Sequence, residues 1–111
     1  MMEQRDIILV EFPFSDLEHK KIRPAIIVSN TAYNQNSGDV LAVPLTTNLE
    51  IREYAFLITS QDLEKGELIR ESKVKVDKIF SVEKKLVKLK IGKISVKKFA
   101  LIQKMIFELL A

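Results

Sequence analysis

A chain of 111 residues with 47% apolar and 30% charged side chains has the size and composition of one compact domain, 1–111, and excludes a disordered protein. It has no cysteine and His19 is its only histidine, which excludes a disulfide framework and leaves too few ligands for an ordinary zinc site, so no metal or cofactor is expected. Its net charge of +3 is unevenly spread: residues 1–64 carry 5 basic and 10 acidic side chains, residues 65–111 carry 13 and 5.

The basic half suits an anionic partner, either a nucleic-acid backbone or an acidic peptide. Fourteen of the 18 basic residues are lysine, a pattern that also fits a merely solvated surface. The first apolar run, Ile7 to Val10, is too short for a signal-peptide core or a membrane span, so a soluble cytoplasmic protein with no membrane partner is expected.

In chain order, Ile7 to Phe12 reads as a largely buried β-branched strand stopped by Pro13. Ser15 to Lys21 is a polar loop, Ala25 to Ser29 a second strand, and Asn30 to Asp39 a loop or short helix leading into a third strand, Val40 to Leu45. Thr47 to Glu53 is a loop and Tyr54 to Thr59 a fourth strand, followed by a capped helical turn at Ser60 to Leu63. From Lys73 to Ile79 apolar and charged residues alternate, which predicts a half-buried strand with Val74 and Val76 inward and Lys75 and Asp77 on the other face. The alternation returns from Val87 to Ile91 and Gly92 breaks it. Ser95 then caps a helix whose apolar positions Phe99, Ile102, Ile106, Leu109 and Leu110 recur at helical spacing and pack on the core. Short strands with one terminal helix predict a mainly β fold, a small barrel or curled sheet under a helical lid.

No Gly-rich phosphate loop, paired zinc histidines, Gly-x-Ser-x-Gly elbow or cysteine nucleophile is present, which excludes most cofactor-dependent chemistry. What remains is Arg23-Pro24-Ala25-Ile26-Ile27-Val28-Ser29-Asn30 and, after a short gap, Val43-Pro44-Leu45-Thr46-Thr47. Pro24 biases Arg23 toward an extended backbone and sits best at a strand start or edge, and Pro44 stands likewise just before Thr46 and Thr47. An isolated Arg-Pro reads equally as a solvated charge ahead of a strand; the two segments in this order point to a phosphate-handling cleft. Arginine offers a planar fork for phosphate oxygens and threonine a short hydroxyl donor, enough to stabilise developing negative charge.

RNA carries its own nucleophile in the 2′-hydroxyl, and DNA, lacking it, would be bound by such a site without being cut. Arg23 stays protonated, so its role is charge stabilisation or leaving-group assistance. Asp77 and His19 are candidate proton acceptors, although an aspartate so placed is more often a turn or surface ion-pair residue and a histidine in a polar loop more often simply solvated. Thr47, Lys75, Lys20 and Lys21 are candidate accessory or RNA-binding groups.

These blocks, with Asp6-Ile7-Ile8-Leu9-Val10-Glu11-Phe12-Pro13-Phe14-Ser15-Asp16, Ser72 to Phe80 and Ile91-Gly92-Lys93 before the terminal helix, resemble the MazF/PemK-like toxins of type II toxin–antitoxin systems over nearly the whole chain. The resemblance implies an SH3-like small β-barrel of the CcdB/PemK type with a C-terminal helix and short helical turns, assembled as a homodimer. It implies an endoribonuclease that cuts single-stranded RNA at short sequences without metal, leaving 2′,3′-cyclic phosphate and 5′-hydroxyl ends. The catalytic arginine before proline then falls on Arg23 and the catalytic threonine on Thr46. An arginine two residues before an aspartate in some members reads here as Lys75 and Asp77, keeping the charge without the fork. The glycine that usually precedes the first aspartate is replaced by Arg5, a change expected to affect only how the strand begins. The implied partner is an antitoxin with a flexible, often acidic tail. The competing reading is a barrel that acts by binding alone, either inactive or resembling the gyrase-poisoning toxins. Those rely on a C-terminal tryptophan, and this chain has none.

Overall fold

The computed structural model describes residues 1–13 and 20–111. Eight strands, β1 (Asp6–Pro13), β2 (Lys20–Ile27), β3 (Asp39–Thr46), β4 (Ala55–Ile58), β5 (Leu63–Gly66), β6 (Ser72–Lys75), β7 (Phe80–Glu83) and β8 (Val87–Ile94), join two helices, α1 (Thr31–Asn36) and α2 (Val96–Leu110). They form one antiparallel sheet in the order β4-β6-β3-β2-β1-β8-β5, with β7 also on β3. A single 3₁₀ turn, Ser60–Asp62, connects β4 to β5, so the two ends of this path are drawn together and the sheet curls into an SH3-like barrel with α2 against it.

β1, β3 and the second half of β2 are largely buried on both faces. One face packs Ile7, Ile26, Val43, Leu45 and Val74 against Phe99 and Ile102 of α2, and the other gathers Ile8, Val10, Ala25, Ile27, Val40, Ala42 and Val82. This two-sided burial is why Ile7 to Val10 is apolar without alternation. Val74 and Val76 are inward, as expected. In α2, Phe99 and Ile102 are buried and Ile106 half-buried, whereas Leu109 is 38% and Leu110 82% exposed, correcting the expectation that both join the core. Ser95 accepts the Lys98 N–H and caps α2. Ser95→Ala should cost about 1 kcal/mol, read as a lower urea midpoint with unchanged slope.

Other boundaries shift for physical reasons. β2 begins at Lys20, inside the expected polar loop, because its pairing with β1 continues through Phe12↔Lys21 to Pro13↔Lys20. The 3₁₀ turn is capped by Thr59, whose side chain and that of Asp62 form a reciprocal capping box. The strand expected at 73–79 stops at Lys75; a turn follows, and β7 resumes on the same edge of β3, so Asp77 leaves the sheet face it was assigned to. Gly92 does not break β8, which continues to Ile94 through register shifts against β1.

Arg5 has φ 80, a left-handed conformation that favours glycine, and its guanidinium donates to the Ile94 carbonyl at 2.9 Å and to Glu64 at 3.0 Å. It therefore does more than begin a strand: it ties β1 to β8 and to β5, and its hydrogen bond holds the Glu64 carboxyl below its usual range.

Candidate active site

The site is built where β2 and β3 part. Their ladder runs Ile27↔Ala42, Ile26↔Val43, Ala25↔Pro44 and ends there. Neither Pro24 nor Pro44 has an N–H to donate, so continued pairing would lack donors on both strands. Pro44 lies inside β3, which runs on to Thr46 by pairing with β6. The prolines thus mark the end of one ladder and not the end of either strand.

Alternation decides what faces the resulting cleft. Arg23 is two residues from Ala25 and Thr46 two from Pro44, so both lie on the face that Ala25 and Pro44 share, across from one another. On the other side of β3, Thr46 pairs with Lys73 of β6, and Lys75 follows two residues on. One face therefore presents Arg23, Thr46, Lys73 and Lys75 across three adjacent strands.

Two cavities meet at Thr46. Arg23 and Thr46 line one of about 320 Å³ with Lys21, Ile22, Pro24, Leu45 and Thr47. Thr46 also lines a smaller one, about 50 Å³, with Asn48, Glu50, Arg52 and Lys75. Arg23 is exposed, and among the described residues neither its guanidinium nor the Lys75 ammonium has a hydrogen-bond or ion-pair partner. The Thr46 Oγ1 accepts the Asn48 N–H at 3.1 Å, which orients the hydroxyl and leaves its own proton to donate. Unpaired cations on both sides of an oriented hydroxyl form a seat for an anion.

The loop after Thr46 is held from several directions. Asn48 Oδ1 accepts the Glu50 N–H at 3.1 Å, Lys73 Nζ donates to the Glu50 carbonyl at 2.8 Å, and Arg52 pairs with Asp77 at 3.3 Å. Tyr54 closes the loop at φ 54, where a bulky residue is strained by about 1–3 kcal/mol, and its carbonyl accepts the Val76 N–H.

Of the candidates named from sequence, Arg23, Thr46, Thr47 and Lys21 share one cavity and Lys75 lies in the next. Asp77 is the turn and ion-pair residue of its plainer reading, bound to Arg52. His19 lies outside the described residues, and Lys20 is placed only through its backbone as the first residue of β2. Sequence reasoning missed Lys73, Glu50 and Arg52. The alternation in β6 carried a signal for Lys73, which is in phase with Lys75; Glu50 and Arg52 are loop residues whose position only the fold defines.

Part of the basic half of the chain is spent internally. Lys88 pairs with Glu11 at 2.8 Å, Lys90 with buried Asp6 at 3.1 Å, Lys93 with Glu3 at 3.3 Å and Lys98 with Asp62 at 3.9 Å. The Lys93 hydrogen bond and charge hold the Glu3 carboxyl below its usual range. The asymmetry along the sequence is thus in part β8 and α2 answering the acids of β1 and the 3₁₀ turn, while among the described residues Arg23 and Lys75 have no such partner. Among the described residues no three His, Cys, Asp or Glu side chains cluster as a metal site, and no helix is long and apolar enough to cross a membrane.

An open antiparallel barrel with a terminal helix and a basic, hydroxyl-bearing cleft at a split ladder defines the class as small β-barrel proteins with an anion-binding cleft. The chain belongs to the PemK-like, MazF-like toxins of type II toxin–antitoxin systems, whose family profile matches residues 3–110. No curated protein sequence is significantly similar. Among solved structures, an endoribonuclease in complex with its cognate antitoxin from a mycobacterial species shares 20% identity at a TM-score of 0.81, over 99% of this chain and 95% of that one. MazF in a MazE–MazF crystal structure from Deinococcus radiodurans shares 17% identity at a TM-score of 0.82, over 98% and 95%. The Mycobacterium tuberculosis toxin MazF-mt6 shares 17% identity at a TM-score of 0.75, over 94% of each chain.

Proposed function

We propose that this toxin is a sequence-specific, metal-independent endoribonuclease that cuts single-stranded RNA in the cytoplasm by 2′-hydroxyl attack, leaving 2′,3′-cyclic phosphate and 5′-hydroxyl ends. The observation that carries the reading is the Arg23 guanidinium, without a partner among the described residues, across from the oriented Thr46 hydroxyl in one open cavity. The guanidinium fork and the hydroxyl bind the non-bridging phosphate oxygens and stabilise the charge that grows on them as phosphorus becomes five-coordinate. Lys75 adds a second positive group beyond Thr46.

Family membership supports an antitoxin partner, and similar folds include an endoribonuclease with its cognate antitoxin. A flexible acidic tail laid over Arg23 and Lys75 would occupy the same anion seat and so compete with RNA. The active form is a homodimer, in which Phe107 and Leu110, 74% and 82% exposed at the end of α2, give a second copy apolar surface to cover.

Incubating the purified protein with a mixed RNA pool in EDTA and typing the new ends tests the chemistry. Cleavage with cyclic phosphate and 5′-hydroxyl ends is expected. Products with 5′-phosphates, or a requirement for magnesium, would sink the mechanism, and binding without cleavage would favour the binding-only reading.

A further inference from the structure

We infer that Glu50 is the general base of the reaction, a deepening that rests on the cleavage reading above. Two cavities meet at Thr46: Arg23 lines one, and Glu50, with Arg52 and Lys75, lines the other. β3 lies between them, with Arg23 on its β2 side and the loop pinned by Lys73 of β6 on the other. A phosphodiester seated on the Thr46 hydroxyl places its two ester oxygens on opposite sides of phosphorus, as in-line displacement demands. The leaving 5′ oxygen then faces Arg23 and the ribose 2′-hydroxyl faces Glu50.

Glu50 is held for this task by its backbone and left free in its side chain. Its N–H is bound by Asn48 Oδ1 and its carbonyl by Lys73 Nζ, while its carboxylate has no partner among the described residues. Asp77, the acceptor considered from sequence, is occupied by Arg52. The charged groups around Glu50 are Lys73 and Lys75 from β6, Arg52 from its own loop, Asp77 paired to Arg52, and Arg23 across β3 on β2. The surplus around it is positive, which draws the phosphodiester to the carboxylate's side of Thr46.

The step balances without metal or cofactor. Glu50 takes the 2′-hydroxyl proton, the freed O2′ electron pair forms the O2′–P bond, and the P–O5′ bond breaks with its pair going to the 5′ oxygen. That oxygen takes a proton from water under the charge of Arg23, and Glu50 returns its proton to solvent.

The test compares full-length wild type with Glu50→Gln on an RNA that the wild type cuts, and on its 2′-deoxy analogue at the cleavage site as an uncleavable ligand. Glu50→Gln should lower kcat by about 10²- to 10⁴-fold, with analogue binding and melting unchanged. Wild-type rate in the variant overturns the assignment, as does loss of analogue binding with kcat retained. A wild type that cuts no RNA overturns the cleavage reading itself and Glu50's role with it, an outcome distinct from a wild type and variant that cut equally.

Discussion

Arg23→Ala should lower the rate of RNA cleavage by about 10²-fold or more while leaving the melting temperature nearly unchanged. Both halves follow from the same observation. Arg23 is exposed and its side chain touches no partner among the described residues, so the fold loses nothing when it is truncated. The cavity it shares with Thr46 loses its fork of donors to a phosphate, and charge developing on phosphorus goes unanswered on that side. Arg23→Lys separates charge from geometry: an ammonium keeps the sign but loses bidentate binding, so partial activity is expected. Single-turnover rates on an oligonucleotide cut by the wild type, with thermal melts of each variant, check the prediction. A variant as active as the wild type would move the chemistry away from this cleft.

Gly66→Ala should do the reverse and damage the fold directly. Gly66 has φ +82 and pairs with Gly92 where β5 crosses β8. A Cβ at position 66 would stand 2.1 Å from the Ile91 carbonyl oxygen and 2.6 Å from the Gly92 Cα. Both are backbone atoms of a paired strand, so neither can swing aside. Left-handed strain and overpacking together should cost about 3 kcal/mol, a fall in melting temperature of more than about 10 °C for a domain of this size. Gly38→Ala is the control, because a Cβ there meets nothing within 4 Å. Differential scanning calorimetry of the two variants distinguishes the sites, and equal melting would show that β5 and β8 do not approach so closely.

The two predictions separate what the sequence could show from what it could not. Arg23-Pro24 and Pro44-Leu45-Thr46 were legible as chemistry because their residue types and order carry the resemblance to the family. Their confrontation was not legible, because it depends on the pairing of Ala25 with Pro44, and register between strands leaves no mark in either strand alone. β2 was read too short for a related reason: its first half, Lys20-Lys21-Ile22-Arg23, is polar and is held by pairing with β1 and not by apolar burial. β5 escaped notice because Leu63 is the one apolar side chain in four residues, and β7 because four residues are too few for alternation to declare itself. The reading of 73–79 as one strand followed a true alternation whose backbone turns at 76–77, and that turn sends Asp77 to Arg52.

By itself the sequence determined the composition of the core, the β character of the chain, the capped terminal helix and the absence of the familiar cofactor motifs, since each of these depends on residues near one another along the chain. Tertiary structure alone decided that Arg23 faces Thr46, that Glu50 reaches the far side of that threonine, and that most of the lysines of β8 answer the acids of β1. The first and last of those relations join residues more than twenty positions apart, where only the register and curl of the sheet set the distances, and Glu50 is placed by the loop that Lys73 of β6 pins.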